Sequence, residues 1–226
     1  MNRRRFLAAL GVTAAAGNAA GQSKKLLLPS DQPDEFNLRL MWFNPVPPID
    51  QRTWKLKVGG LVEKPQELTL AQLRKFPQEK KSVRLKCVQC WSARCTWGGF
   101  RFEEILELVK PRNTARAVRI DCADKWYEYM SIEEMQGPHA LMALDLEGKP
   151  LPDDHGAPLR IIDGSKYGYK SAKLITAITF VTEGKGSMAC DIGPYYSPSG
   201  EILPGYDHPL DLGGRRRIKG GAITEY

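Results

Sequence analysis

The chain is poor in the residues that most often announce a chemistry. Its 226 residues hold three histidines and five cysteines. His139, His155 and His208 each adjoin glycine or proline, and no Gly-x-Ser-x-Gly elbow accompanies them, so a serine-hydrolase reading has no support. No Gly-x-Gly-x-x-Gly turn is present, which argues against a parallel βαβ dinucleotide fold. The absence of Cys-x-x-Cys-His excludes a c-type haem attachment. Long apolar runs are missing as well: residues 6–20 are too short and too alanine-rich for a comfortable membrane span. There is no internal repeat and no low-complexity block, so the length implies one domain of ordinary size.

What is abundant is glycine and proline, 21 and 16 residues, which predicts many turns and a β-rich fold. The N-terminus reads MNRRRFLAALGVTAAAGNAA: a basic start, a short apolar run, then small residues. That is the layout of an export signal over 1–20, and Arg3-Arg4-Arg5-Phe6-Leu7 resembles the twin-arginine motif, implying a periplasmic destination. Without those three arginines the net charge falls from +7 to +4, a modest balance that calls for no nucleic-acid partner. An oxidising compartment permits disulfides, but five cysteines leave at least one thiol over.

Residues 21–50 read as an extended arm, since prolines at 29, 33, 45, 47 and 48 exclude a long helix. Its apolar patch Leu40-Met41-Trp42-Phe43 implies packing on the body, which runs from 51 to 226. Alternation predicts strands over 54–58, 83–88 and 117–122, and apolar runs predict strands over 141–144, 158–162 and 173–181. Thr69 with Gln72 predicts a capping box opening a short helix over 70–75. A second helix is expected over 102–110, and a helical turn from Ser131, each with a glutamate pair (Glu103-Glu104, Glu133-Glu134) suited to the helix dipole. Many short strands with few short helices make this a mixed α+β domain on a β scaffold.

Three of the five cysteines crowd into 84-RLKCVQCWSARCTWGG-99. Cys87, Cys90 and Cys95 permit a zinc or iron–sulfur module, a redox pair, or buried thiols with or without a disulfide. Alternation turns Val83, Leu85 and Cys87 to one face, so Cys87 ends a strand pointing inward, and the chain leaves it as a loop.

The wider order of motifs resembles the sulfite oxidase family of molybdenum–molybdopterin enzymes, and within it the catalytic subunits of bacterial protein-methionine-sulfoxide reductases. The segments that carry it are Arg84-Leu85-Lys86-Cys87-Val88-Gln89-Cys90-Trp91-Ser92 with Trp97-Gly98-Gly99-Phe100, then Gly148-Lys149-Pro150-Leu151-Pro152. His155-Gly156-Ala157-Pro158-Leu159-Arg160 and Lys166-Tyr167-Gly168-Tyr169-Lys170-Ser171-Ala172-Lys173 follow, with a looser match at Asp207-His208-Pro209 and 215–218. The resemblance implies a sulfite-oxidase-type fold with Cys87 as the thiolate ligand of molybdenum. It implies pterin contacts from His155, Arg160, Gly168, Tyr169 and Lys170, the cations serving the phosphate. Cys122 stands where the reductases use a threonine near the cofactor. In the arm, Asn37, Arg39 or Asn44 would take the place of the family's asparagine contacts.

The expected activity is oxygen-atom transfer, most naturally reduction of an S-oxide or N-oxide, with Trp91 as a pocket wall and Arg94 near the pocket. Electrons would come from a membrane cytochrome of b type. The rival readings are sulfite oxidation, a zinc or iron–sulfur structural module, and a binding protein that has lost the cofactor. The run Arg215-Arg216-Arg217 reads as a solvated tail or as a contact for anionic lipid or the redox partner.

Overall fold

In the computed structural model the described residues are 30, 32–88, 91–193 and 196–202, together with the backbone pairing of 206–207 and 216–217. The export-signal segment, Cys90, His208 and Arg215 lie outside them. Along the chain come β1 (Lys55–Gly60), β2 (Gln66–Thr69), α1 (Leu70–Leu73), β3 (Gln78–Lys86), β4 (Ser92–Phe100) and α2 (Glu103–Val109). Next are β5 (Ala117–Cys122), β6 (Tyr127–Ser131), α3 (Ile132–Met135), β7 (Ala140–Leu146), β8 (Lys149–Pro150) and β9 (Arg160–Asp163). β10 (Ile175–Val181), α4 (Met188–Ile192), and the short pair β11 (Tyr206–Asp207) and β12 (Arg216–Arg217) complete the order. Among the described residues no helix is long and apolar enough to cross a membrane.

The first sheet has the spatial order β2-β1-β10-β5-β6, antiparallel except for the parallel β1–β10 pair. Its strands alternate as their sequences predict. In β1, Leu56 and Val58 are buried while Lys55 and Lys57 are exposed. That buried face meets Ile105 and Val109 of α2 and Leu73 of α1 in the main core. Both capping boxes form, Thr69 with Gln72 and Ser131 with Glu134, and each satisfies backbone donors that a short helix leaves open.

The second sheet runs β3-β4-β7-β8, with β9 on β7 as well. Strand β7 is buried on both faces: Met142 and Leu144 join the main core, while Leu141 and Ala143 join a second cluster with Trp97, Cys95 and Leu38. Its continuous apolar run ALMAL follows from that position. The sequence predicts a loop after Cys87 and no strand over 92–100, yet β4 occupies that stretch. It pairs with β3 over its full length, Val83 facing Cys95, and its Ala93, Cys95 and Trp97 alternate inward. The loop after Cys87 is therefore the turn of a β3–β4 hairpin. The arm buries Leu38 to 1% exposure against the second sheet and packs Trp42 and Val46 on Leu174, just before β10 of the first.

Candidate functional site

Cys87 follows directly on β3, half-buried, and its N–H donates to the Trp91 carbonyl at 2.9 Å across the hairpin turn. The preceding residue, Lys86, pairs in parallel with Tyr167. The next residue of that segment is Gly168, which opens the turn Gly168–Lys170. The bridge sets this turn against the strand end and holds the backbone that carries the cysteine.

Arg160 enters the same space from the start of β9. It is 3% exposed, donates from Nη1 to the His155 carbonyl at 2.9 Å, and stacks over Trp97 at 4.9 Å. Among the described residues no carboxylate pairs with it, and its Nε has no partner. Burial pulls its pKa down to about 9. Lys173 lies over the Trp42 ring at 4.1 Å and donates to the Met41 carbonyl. Burial, then Arg160, lower its pKa to about 7, while Asp124, Cys122 and Cys87 oppose that fall. His155 Nε2 sits 2.6 Å from Asp34 Oδ2, and burial, then Arg160, bring the imidazole down to about 4 against the pull of Asp34. Three basic side chains thus share a desolvated corner. The buried acid beside them, Asp124, is occupied by the N–H groups of Phe43 and Trp126.

These residues line one cavity of about 240 Å³. Its walls include Trp42, Trp91, Trp126, Tyr169 and Tyr196, surfaces suited to a flat heterocycle. Four buried polar atoms without partners belong to lining residues: Arg160 Nε, Ser171 Oγ, Trp42 Nε1 and Trp91 Nε1. Buried donors left open in this way point to a ligand that accepts from them. At the mouth stand Met41, Phe43 and Ile192, the exposed large hydrophobic side chains among the described residues.

Of the residues expected at the site, Cys87, His155, Arg160, Gly168 and Tyr169 come together on this wall, as do Trp91 and Arg39. Four do not. Lys170 is turned away, its ammonium held by Glu128 at 2.6 Å and by the carbonyls of Tyr129 and Pro198. The lysine on the wall is Lys173, three residues on in the same motif. Cys122 ends β5 inside the main core, where burial pushes its thiol pKa well up and leaves a poor donor. Asn37 is exposed at a turn with φ 58°, a backbone region that asparagine tolerates better than most residues. Arg94 donates to the Ser82 carbonyl on the outer face of the hairpin. Asn44 binds the Asp124 carbonyl at 2.7 Å.

The cysteine cluster also separates. Cys95 packs in the second core cluster, its Sγ donating to the Phe36 carbonyl at 3.7 Å, and burial raises its thiol pKa to about 11. Cys95, Cys122 and Cys190 are free thiols, and among the described residues no three His, Cys, Asp or Glu side chains converge as metal ligands. A zinc or iron–sulfur module on this segment finds no support there.

Residues 43–189 match the oxidoreductase molybdopterin-binding domain. The chain belongs to this family. Similar to it are the protein-methionine-sulfoxide reductase catalytic subunits of Xanthomonas axonopodis pv. citri (strain 306), 36% identical over 75% of this chain and 58% of the relative, and of Ralstonia nicotianae, 34% identical over 69% and 52%. That of Campylobacter jejuni subsp. jejuni is 29% identical over 78% of this chain and 66% of its own length. The chain thus spans between half and two thirds of the curated relatives it matches. The sulfane dehydrogenase SoxCD of Paracoccus pantotrophus shares the fold, with a TM-score of 0.57 at 16% identity over 76% of this chain and 46% of that one. The resemblance drawn from the Cys87, His155 and Tyr167 segments is borne out at the level of family, and with it the sheet-rich α+β fold. The residues lining this cavity fit a molybdopterin group: a thiol, a buried guanidinium without a carboxylate partner, open indole and hydroxyl donors, and aromatic walls converge there.

Proposed function

We propose that the chain is an exported molybdopterin oxidoreductase that reduces an S-oxide, with electrons from a membrane cytochrome of b type. The observation that carries the reading is the cavity lined both by Cys87 and by a buried guanidinium that has no carboxylate partner. The three relatives named as protein-methionine-sulfoxide reductases support the substrate class. The basic, arginine-led N-terminus supports export to the periplasm.

When bound, the cofactor supplies a metal centre that exchanges two electrons and an oxygen atom. Cys87 would hold that metal as a thiolate, on a turn too tightly fixed to let the sulfur wander. Arg160 and Lys173 would bind the phosphate, where burial strengthens each interaction and the guanidinium has no carboxylate competing for it. Ser171 Oγ and the two indole N–H groups would meet the heteroatoms of the ring. Reducing an S-oxide takes two electrons and two protons and releases water. The apolar mouth of Met41, Phe43 and Ile192 would seat the alkyl arms of the sulfur and keep water from the reacting face.

Protein exported from a host that makes the cofactor should carry one molybdenum and one pterin and should reduce a thioether S-oxide with a reduced dye as donor. Cys87→Ser should lose turnover, while Cys95→Ala should keep it because its sulfur faces the core. Equal loss in both variants, or sulfite oxidised in preference to S-oxide reduced, would sink the assignment.

A further inference from the structure

Six consecutive residues, 38–43, form one side of the cavity, and they belong to the arm rather than to either sheet. Among the described residues, the backbone–backbone hydrogen bonds of 34–40 close within the arm, as in the Ser30–Leu40 bridge. What ties this segment to the body polar-wise is a set of side chains. Asp34 caps its own turn, Oδ1 accepting from the N–H of Phe36 at 2.8 Å and of Leu38 at 3.0 Å. Its Oδ2 reaches His155 Nε2 at 2.6 Å, and the Phe36 ring stands edge-on to the imidazole at 5.4 Å. Further along, Lys173 takes the Met41 carbonyl and the face of Trp42, and Asp124 takes the Phe43 N–H at 3.2 Å.

Cys95 Sγ donates to the Phe36 carbonyl at 3.7 Å from the core side, whereas the anchors His155, Lys173 and Asp124 line the cavity that the arm covers. The same groups therefore serve the arm on one side and the cavity contents on the other. With the cavity empty of anion, Lys173 and Arg160 repel each other in a desolvated space, and the arm must close over that repulsion. An anion between them removes it and fixes both anchors. Two events that use the same side chains in the same arrangement are coupled, and the coupling runs equally in both directions.

We propose that residues 34–44 are a strap whose closure is coupled to cofactor binding, with Asp34 as the positioning residue that latches it through His155. The inference rests on the cofactor assignment above. Among the described residues, 34–40 make no backbone–backbone hydrogen bond to either sheet, so opening the strap breaks side-chain contacts and lifts Leu38 and Trp42 from their packing, and it exposes one whole wall of the cavity for loading.

The test reads strap and cofactor separately. Arg39 is exposed on the strap, and the Arg39–Leu40 bond becomes a tryptic site when Leu40 leaves Ser30. Trypsin should cut there about tenfold faster in protein from cells unable to make the pterin than in loaded protein, a ratio typical of coupled sites. Asp34→Ser keeps a hydroxyl that can cap the local turn but is too short to reach His155. It should speed cutting in loaded protein and raise the rate of pterin release by a similar factor, while leaving the Tm of the cofactor-free protein unchanged. Equal cutting of loaded and cofactor-free parent protein overturns the strap. A parent that carries neither molybdenum nor pterin overturns both the strap and the assignment beneath it. A loaded parent with an indifferent Asp34→Ser overturns the latch alone.

Discussion

Lys170 Nζ and Glu128 Oε1 meet at 2.6 Å with side chains 1% and 0% exposed, tying the turn Gly168–Lys170 to β6. The ammonium has two further acceptors, the carbonyls of Tyr129 and Pro198, and Gly200 packs so close to the lysine stem that a side chain there would clash at 2.3 Å. The pair holds from behind the turn whose next residues, Ser171 and Lys173, face the cavity. Lys170→Ala strands a buried carboxylate and should cost about 3–5 kcal/mol of stability. Lys173→Ala should cost far less stability and instead lower pterin content. Denaturant unfolding and pterin fluorescence, measured on both variants, check the contrast.

Arg160 is destabilising where it stands until an anion arrives. Its burial without a carboxylate partner and its unpartnered Nε make the cofactor-free protein carry a desolvated charge. Arg160→Met should raise the Tm of the cofactor-free protein by about 2–4 °C for each kcal/mol recovered. The same change should reduce the molybdenum and pterin bound by exported protein. A fall in both quantities would mean that the stack on Trp97 and the bond to the His155 carbonyl outweigh the desolvation.

His155 gives the cofactor-free protein a definite pH response. Its pKa lies near 4 in the folded chain against 6.5 ordinarily, lowered by burial and then by Arg160. Between those values the unfolded chain binds a proton that the folded chain does not. The stability it contributes is therefore complete above pH 6.5 and drains as pH falls toward 4. Urea midpoints at pH 7 and pH 5 should differ less in His155→Gln than in the parent.

Gly99 allows β4 to press against β7 where their register shifts between Gly98 and Gly99. A methyl group there would lie 2.1 Å from the Met142 carbonyl oxygen and 2.9 Å from the Ala143 Cα, both backbone atoms that have no room to yield. Gly99→Ala should cut the yield of folded protein severely, whereas Gly148→Ala, with open space around it and strained only by φ 76°, should remain soluble with a modest loss of Tm. Expression and thermal melts of the two variants decide it.

The sequence by itself determined the features whose cause lies within a few residues. Alternation over 54–58 and 117–122 placed β1 and β5, because a strand with one buried face needs an apolar residue at every second position. Thr69 with Gln72 determined the start of α1, since a capping box is closed by residues three apart. The motif around Cys87 and the segments of His155, Arg160 and Tyr167 determined the family. Tertiary structure decided the rest. Ser92–Phe100 alternates too, yet it is a strand only because β3 and β7 flank it. Lys170 and Lys173 are equivalent on paper, and what separates them is a carboxylate 42 residues away in sequence that claims the first and leaves the second for the cavity. Asp34 carried no motif at all. Its role exists because the fold brings the arm across to His155, and a side chain's partner in a turn is set by what packs on it.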